Sequence, residues 1–178
     1  WRLGGDYIEA GSWAVVAVDS YVADDALDLI EVEYEPLPAV VDQEAALKPG
    51  APQLYDDVPN NQVFHWKFAN GDVDAAMAAA AVRIKHRFIQ QRLVPNAMEP
   101  RSAVADWNAG AGELTFFNTT QNPHIVRFLI SATQGIPENK IRVVARDVGG
   151  GFGSKIPYYA GDALCIFASR KLNRPVRW

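Results

Sequence analysis

Apolar side chains fall along this chain in short runs whose spacing shifts between two and nearly four, and the shifts outline its elements. Trp13 to Val18 is an unbroken apolar run, the pattern of a buried strand. Asp19 and Ser20 interrupt it. Val22, Ala26, Leu29 and Ile30 then recur at helical spacing, with Asp24, Asp25 and Asp28 on the other face, which predicts an amphipathic helix with a polar start. Ile30 to Tyr34 alternates apolar and charged, predicting a half-buried strand that Pro36 and Pro38 end, because proline cannot donate to a ladder. Strand, helix and strand over about forty residues suit a small α/β unit.

Between Lys48 and Asn61 the pattern lapses into three prolines, a glycine and polar residues, which read as a linker with a domain boundary near residues 50–62. Beyond it, Val63 to Phe68 predicts a strand. Asp72 is placed to cap an alanine-rich helix from Val73 to Ala81. Val82 to Leu93 alternates again, with Arg83, Lys85 and Arg87 on one face, and predicts a strand with one solvated side. Asn108 to Gly112 reads as a hairpin turn between Ala103–Trp107 and Glu113–Asn118. Pro123 suits the first turn of a helix that runs to Gln134 and stops at Gly135. Ile141 to Ala145 predicts a strand, Gly149 to Gly153 a glycine-rich loop, Tyr158 to Leu172 a last helix, and Val176 opens another strand.

Composition narrows the class. The 178 residues are 49% hydrophobic and 21% charged, enough apolar matter for a true core. The net charge of −4 provides no basic field for nucleic acid or an anionic membrane. No apolar run approaches the roughly 18 residues of a membrane span, and the first residues lack the pattern of a signal peptide, so the cytoplasm is the expected compartment. Cys165 is the single cysteine, which excludes an internal disulfide and a cysteine-ligated cluster. The chain opens on Trp1 without a methionine and closes on a β-type run at Trp178, so it reads as a piece of something longer.

Three stretches could carry chemistry. Asp147-Val-Gly-Gly-Gly-Phe-Gly-Ser-Lys155 holds four glycines in five residues after an apolar strand. Such a loop can approach another group closely, and its successive N–H groups can form an anion-binding concavity; equally, it can be a tight turn. It is not a phosphate-binding P-loop, whose Gly-Lys-Ser/Thr order differs from Gly-Ser-Lys-Ile, and it lacks the third glycine of a dinucleotide fingerprint. Thr119-Thr-Gln-Asn-Pro-His124 lies at a strand-to-helix junction. There Gln121 could aim its amide at an anionic or oxo ligand, or Thr119, Thr120 and Gln121 could cap the helix. His124 reads as a surface or capping histidine. Arg92 to Arg101 forms a proline-bracketed loop with Glu99 and Arg101 as candidate partners, best read as packing. Cys165, between Leu164 and Ile166, reads as inert core.

In combination and in this order, Asn96-Ala-Met-Glu-Pro-Arg101, Thr119-Thr-Gln-Asn-Pro-His124, Gly135-Ile-Pro-Glu-Asn-Lys-Ile-Arg-Val143 and Asp147 to Lys155 resemble the molybdopterin-binding large subunit of the xanthine dehydrogenase, aldehyde oxidase and carbon monoxide dehydrogenase family. Val15 to Ser20 and Glu31 to Val40 look like the end of the hammerhead α/β domain that precedes it. The resemblance implies an α/β (α+β) fold: residues 1–55 as the C-terminal part of a hammerhead-like domain, and residues 62–178 as the first part of a cofactor-binding domain with a mixed sheet. It implies a molybdenum–molybdopterin cofactor, in its cytosine dinucleotide form, with Gly150, Gly151, Phe152 and Gly153 against it and Gln121 near an oxo ligand of the metal.

The same resemblance implies partner subunits: a medium subunit carrying FAD and a small subunit carrying [2Fe–2S] clusters, assembled as a dimer of heterotrimers. The chemistry it implies is oxidation of a small molecule with water-derived oxygen. The cofactor's own dithiolene would hold the metal, which accounts for a metalloenzyme with one cysteine. Purine-oxidising members carry a glutamate after the loop lysine; here Ile156 stands there and offers no charge-assisted hydrogen bond, so the pattern is nearer carbon monoxide dehydrogenase. The family's catalytic glutamate and substrate loop fall beyond Trp178, so no general base is named here. An aldehyde or N-heterocycle oxidoreductase of the same family, or a non-catalytic binding or assembly module on the same scaffold, remains as an alternative.

Overall fold

The computed structural model describes residues 2–4, 14–91 and 93–178. Trp13, with which the first expected strand begins, and Arg92, inside a later one, lie outside them. The chain forms two compact units, Trp1–Glu31 with Arg92–Trp178, and Val32–Gln91.

The first unit is built on a mixed six-stranded sheet in the order β2-β1-β6-β3-β4-β5. Its strands are β1 (Arg2–Gly4), β2 (Val15–Ala17), β3 (Ala103–Asn108), β4 (Glu113–Asn118), β5 (Ile141–Val144) and β6 (Val176–Arg177). β3 and β4 form the expected hairpin, with Ala103 opposite Asn118 and Asn108 opposite Glu113. Its turn is closed by the Ala111 N–H donating to the Asn108 side chain at 3.1 Å. β4 and β5 run parallel, from Leu114 against Ile141 to Phe117 against Val144. Parallel neighbours need a crossover, and α4 (Pro123–Gln134) makes it.

α4 spans the predicted residues. Pro123 occupies its first turn, and Gly135, at φ 66°, ends it in the left-handed conformation that glycine adopts at least cost. α4 buries Val126 and Ile130, and α5 (Ala160–Leu172) buries Cys165, Ile166 and Ala168. These side chains meet Ala103, Ala105, Leu114, Phe116, Ile136, Ile141 and Val176 in one apolar core. The alternation along β3 and β4 sets which face this is: Ala103, Ala105, Leu114 and Phe116 turn inward, while Val104 and Phe117 stay half-exposed. Ser169 ties α5 to the sheet, accepting from the Trp107 N–H at 3.1 Å and donating to the Arg174 carbonyl at 2.8 Å. At the front, α1 (Ser20–Leu27) is capped by Asp19, whose side chain accepts the Val22 N–H at 2.9 Å, and it buries Ala23.

The second unit holds the short α2 (Gln43–Ala46), α3 (Val73–Ala79) capped as expected by Asp72, and a 3₁₀ turn at Pro59–Asn61. The Asn61 amide binds the carbonyls of Ala46 and Pro52, both at 3.0 Å. Three expected strands are not formed: Ile30–Tyr34, Val63–Phe68 and Val82–Leu93 carry no ladder. Periodicity two says which face of a strand would be buried. The strand itself exists only through a hydrogen-bonded neighbour, and none pairs with these segments among the described residues. Phe64, Trp66, Ile84 and Phe88 are accordingly exposed.

Candidate functional site

The sheet topology brings three loops to one end of the first unit. The parallel strands β4 and β5 leave the sheet at the same edge, and their exits are Thr119–Asn122 and Ala145–Lys155. β3 runs the opposite way, so its entry, Ala97–Ser102, arrives at that edge too. Carboxyl ends of parallel strands are where open α/β sheets place ligands, because the connecting loops diverge there.

The loops are joined by specific bonds. The Gln121 side-chain oxygen accepts the N–H of Gly153 at 3.2 Å and that of Lys155 at 3.4 Å. The Gln121 main-chain N–H donates to the Lys155 carbonyl at 2.9 Å, and the Thr120 hydroxyl donates to the same oxygen at 3.1 Å. Gln121 therefore braces the glycine loop and does not cap α4. The free N–H of Asn122 goes instead to the Thr120 hydroxyl at 3.0 Å.

Glycines are needed here for room. A β-carbon on Gly151 would collide with the Gln121 side chain, and one on Gly149 would sit 2.6 Å from Cβ of Glu99. Gly150 and Gly153 have positive φ, 98° and 88°, and Phe152 shares that region at 50° with its ring exposed. A non-glycine residue held at positive φ stores strain that the surrounding bonds must sustain. Among the described residues, the N–H groups of Gly151 and Phe152 meet no acceptor, leaving two adjacent donors of the anion-binding kind.

Glu99 and Arg101 do not pair with each other. Glu99 reaches the buried ammonium of Lys155 at 2.7 Å and accepts the Gly149 N–H at 2.8 Å; its main chain returns a bond to the Gly149 carbonyl at 3.1 Å. The Lys155 bond, then the Gly149 bond, hold the Glu99 carboxyl below the usual glutamate range. Arg101 holds its guanidinium carbon over the Tyr159 ring, 3.8 Å from its centre, and Tyr159 in turn donates its hydroxyl to the Ser154 carbonyl at 2.6 Å. Asp162 accepts the Tyr159 N–H at 3.0 Å and the Asn118 amide at 2.8 Å. Burial raises its carboxyl against the pull of these bonds and of Arg101. Lys155 and Tyr159 were not singled out from sequence. The sequence signal for Lys155 is a lone cation ending a glycine loop; its partner Glu99, 56 positions away, is marked by nothing local.

His124 is exposed, and no group of three or more His, Cys, Asp or Glu side chains among the described residues could hold a metal ion. Cys165 is fully buried, and burial pushes its thiol up to about 12. No described helix is long and apolar enough to cross a membrane.

The chain is 41% identical over 177 residues to the carbon monoxide dehydrogenase large chain of Afipia carboxidovorans, across 92% of this chain and 22% of that one. Among solved structures it matches a Cu,Mo carbon monoxide dehydrogenase with a TM-score of 0.83 at 40% identity, covering 93% of this chain and 22% of the other. It also matches quinoline 2-oxidoreductase of Pseudomonas putida 86 with a TM-score of 0.80 at 38% identity, covering 93% of this chain and 21% of the other. The chain thus spans about a fifth of the length of these three relatives. Residues 54–178 match the model of the molybdopterin cofactor-binding domain, and the chain belongs to that family.

Proposed function

We propose that this chain is the cofactor-binding portion of a molybdenum hydroxylase large subunit, and that Gln121 with Gly150, Gly151, Phe152 and Gly153 forms the face that meets the molybdopterin. The observation that carries it is the contact between Gln121 and the glycine loop: an amide and two adjacent unpaired N–H groups on a surface built mostly of glycines. That surface fits a planar, oxygen-rich, anionic group, which needs close approach and donors and needs no protein ligand to its metal. When bound, the cofactor supplies the metal centre for oxygen transfer and the route for electrons. The protein's residues position and hydrogen-bond it.

The substrate we favour is carbon monoxide, which with water becomes carbon dioxide and releases two protons and two electrons. Support comes from the first relative and from Ile156, which follows the loop lysine and bears no charge to grip a purine. The comparable likeness to quinoline 2-oxidoreductase favours a second reading, oxidation of an N-heterocycle or an aldehyde on the same scaffold. In the intact enzyme we place FAD and [2Fe–2S] clusters on partner subunits, the cytosine dinucleotide form of the cofactor here, a dimer of heterotrimers, and a cytoplasmic location. Residues 1–55 we assign to the end of a hammerhead-like domain and residues 62–178 to the cofactor-binding domain.

The test is to purify the intact protein that contains this chain and measure molybdenum, pterin and dye reduction. Near-equal molybdenum and pterin, with dye reduced under carbon monoxide, supports the first reading. Reduction only with quinoline or an aldehyde selects the second. Pure intact protein with neither metal nor pterin leaves the non-catalytic binding or assembly module and sinks both.

A further inference from the structure

Resting on the cofactor reading above, we infer that the buried Lys155–Glu99 pair positions Gln121: it fixes the glycine loop so that loop amides hold the Gln121 oxygen and leave its Nε2 as the donor facing the site. Lys155, at the loop's end, is only 2% exposed. A lysine ammonium is rarely buried so completely without a partner, and Glu99 supplies one at 2.7 Å. Glu99 comes from the entry to β3, outside the loop. Its same carboxylate oxygen holds the N–H of Gly149, where the loop begins.

One carboxylate thus clamps both ends of the glycine turn. Between those ends Phe152 is held at φ 50°, a strained conformation that persists only when its surroundings enforce it.

The main chain of Lys155 transmits the clamp. Its carbonyl takes the Gln121 N–H and the Thr120 hydroxyl, and its N–H, with that of Gly153, reaches the Gln121 side chain. Two N–H donors can be met only by the amide oxygen, so they decide which way the amide is turned. The NH₂ end, with no acceptor among the described residues, is presented outward as a donor. A glutamine free to flip would offer oxygen half the time and repel an anionic or oxo group. Lys155 and Glu99 are therefore positioning residues. They act on the cofactor face through Gln121 and the loop without touching it.

The experiment uses the intact protein with Lys155→Met, Glu99→Gln and the double variant, read by amide hydrogen exchange, molybdenum and pterin content, and the KM and kcat of dye-linked turnover. Lys155→Met keeps length and apolar bulk and removes the charge. Its expected result is exchange at the hydrogen-bonded loop amides, those of residues 149, 150 and 153–155, faster by on the order of tenfold or more, with the β3–β4 hairpin unchanged, and a lower kcat at similar KM. Glu99→Gln should do the same more weakly, and the double variant should be no worse than Lys155→Met alone, since the two act as one unit.

Unchanged exchange in the loop overturns the inference. So does additivity in the double variant, or a uniform rise in exchange across the unit, which would mean general destabilisation. If Lys155→Met does not fold, Glu99→Gln decides by the same loop readout, because its amide oxygen still accepts the Gly149 N–H. A loosened loop with undiminished cofactor content and turnover would support the positioning and overturn the assignment of this loop to the cofactor, so the two failures are distinct.

Discussion

A β-carbon on Gly151 would occupy the space now filled by the side-chain oxygen of Gln121. The two residues lie on different loops, 30 positions apart in sequence, and they touch because β4 and β5 run parallel and leave the sheet side by side. The absence of one side chain is thus the condition for the seating of another.

Gly151→Ala should therefore displace Gln121 and break its bonds to the N–H groups of Gly153 and Lys155. Overpacking of this kind costs about 1–3 kcal/mol. In the intact protein the expected outcome is a modest loss of stability in urea and a larger loss of bound pterin, measured by fluorescence after oxidative release. Full pterin occupancy in this variant would contradict the role given to the loop.

The depressed Glu99 carboxyl makes a pH prediction with a definite sign. Its folded value lies below its unfolded one, chiefly through Lys155 and then Gly149. Its contribution to stability is therefore complete above the ordinary glutamate range and disappears as pH falls through the depressed folded value. Urea midpoints of the parent and of Glu99→Gln should differ at neutral pH and converge in acid. A gap that widens in acid would refute the assignment.

Cys165 should be silent toward thiol reagents while the chain is folded. With its thiol pushed up to about 12, only about one in ten thousand is ionised at pH 8, and the sulfur is fully buried beside the Val176 carbonyl. Because the folded value is raised, this group favours folding below the unfolded thiol range and loses that contribution as pH rises toward 12. Labelling by iodoacetamide at pH 8 should track urea unfolding. Rapid labelling in native buffer would show the helix face to be open.

Ile130 tests the core. It is fully buried on α4 amid the cluster of Leu114, Phe116 and Ile166. Ile130→Ala should cost about 2–5 kcal/mol, from lost burial and the cavity left behind. Replacing Glu44, whose exposed pairing with Arg87 spans 2.9 Å, should cost at most about 1 kcal/mol. Chemical denaturation of both variants separates these expectations.

Local chemistry made several elements legible from sequence. Asp19 and Asp72 mark two helix starts, Pro123 and Gly135 bracket α4, and Asn108 to Gly112 turns the hairpin. In each case the deciding interaction lies within a few residues of its own sequence, where propensity and capping act. The alternating segments at Val63–Phe68 and Val82–Leu93 failed as strands for the complementary reason, since alternation is local but pairing is not.

The site divides the same way. Sequence alone established the glycine-rich loop, the glutamine at a strand-to-helix junction and, through the order of its motifs, the molybdopterin cofactor-binding family. Only the tertiary structure decided that Gln121 braces Gly153 instead of capping α4, that Glu99 pairs with Lys155 and not with Arg101, and that both loops share one edge of the sheet. Those contacts join residues between 32 and 56 positions apart. Which of a polar side chain's available partners it meets is set by how strands are ordered and directed, and no local pattern carries that information.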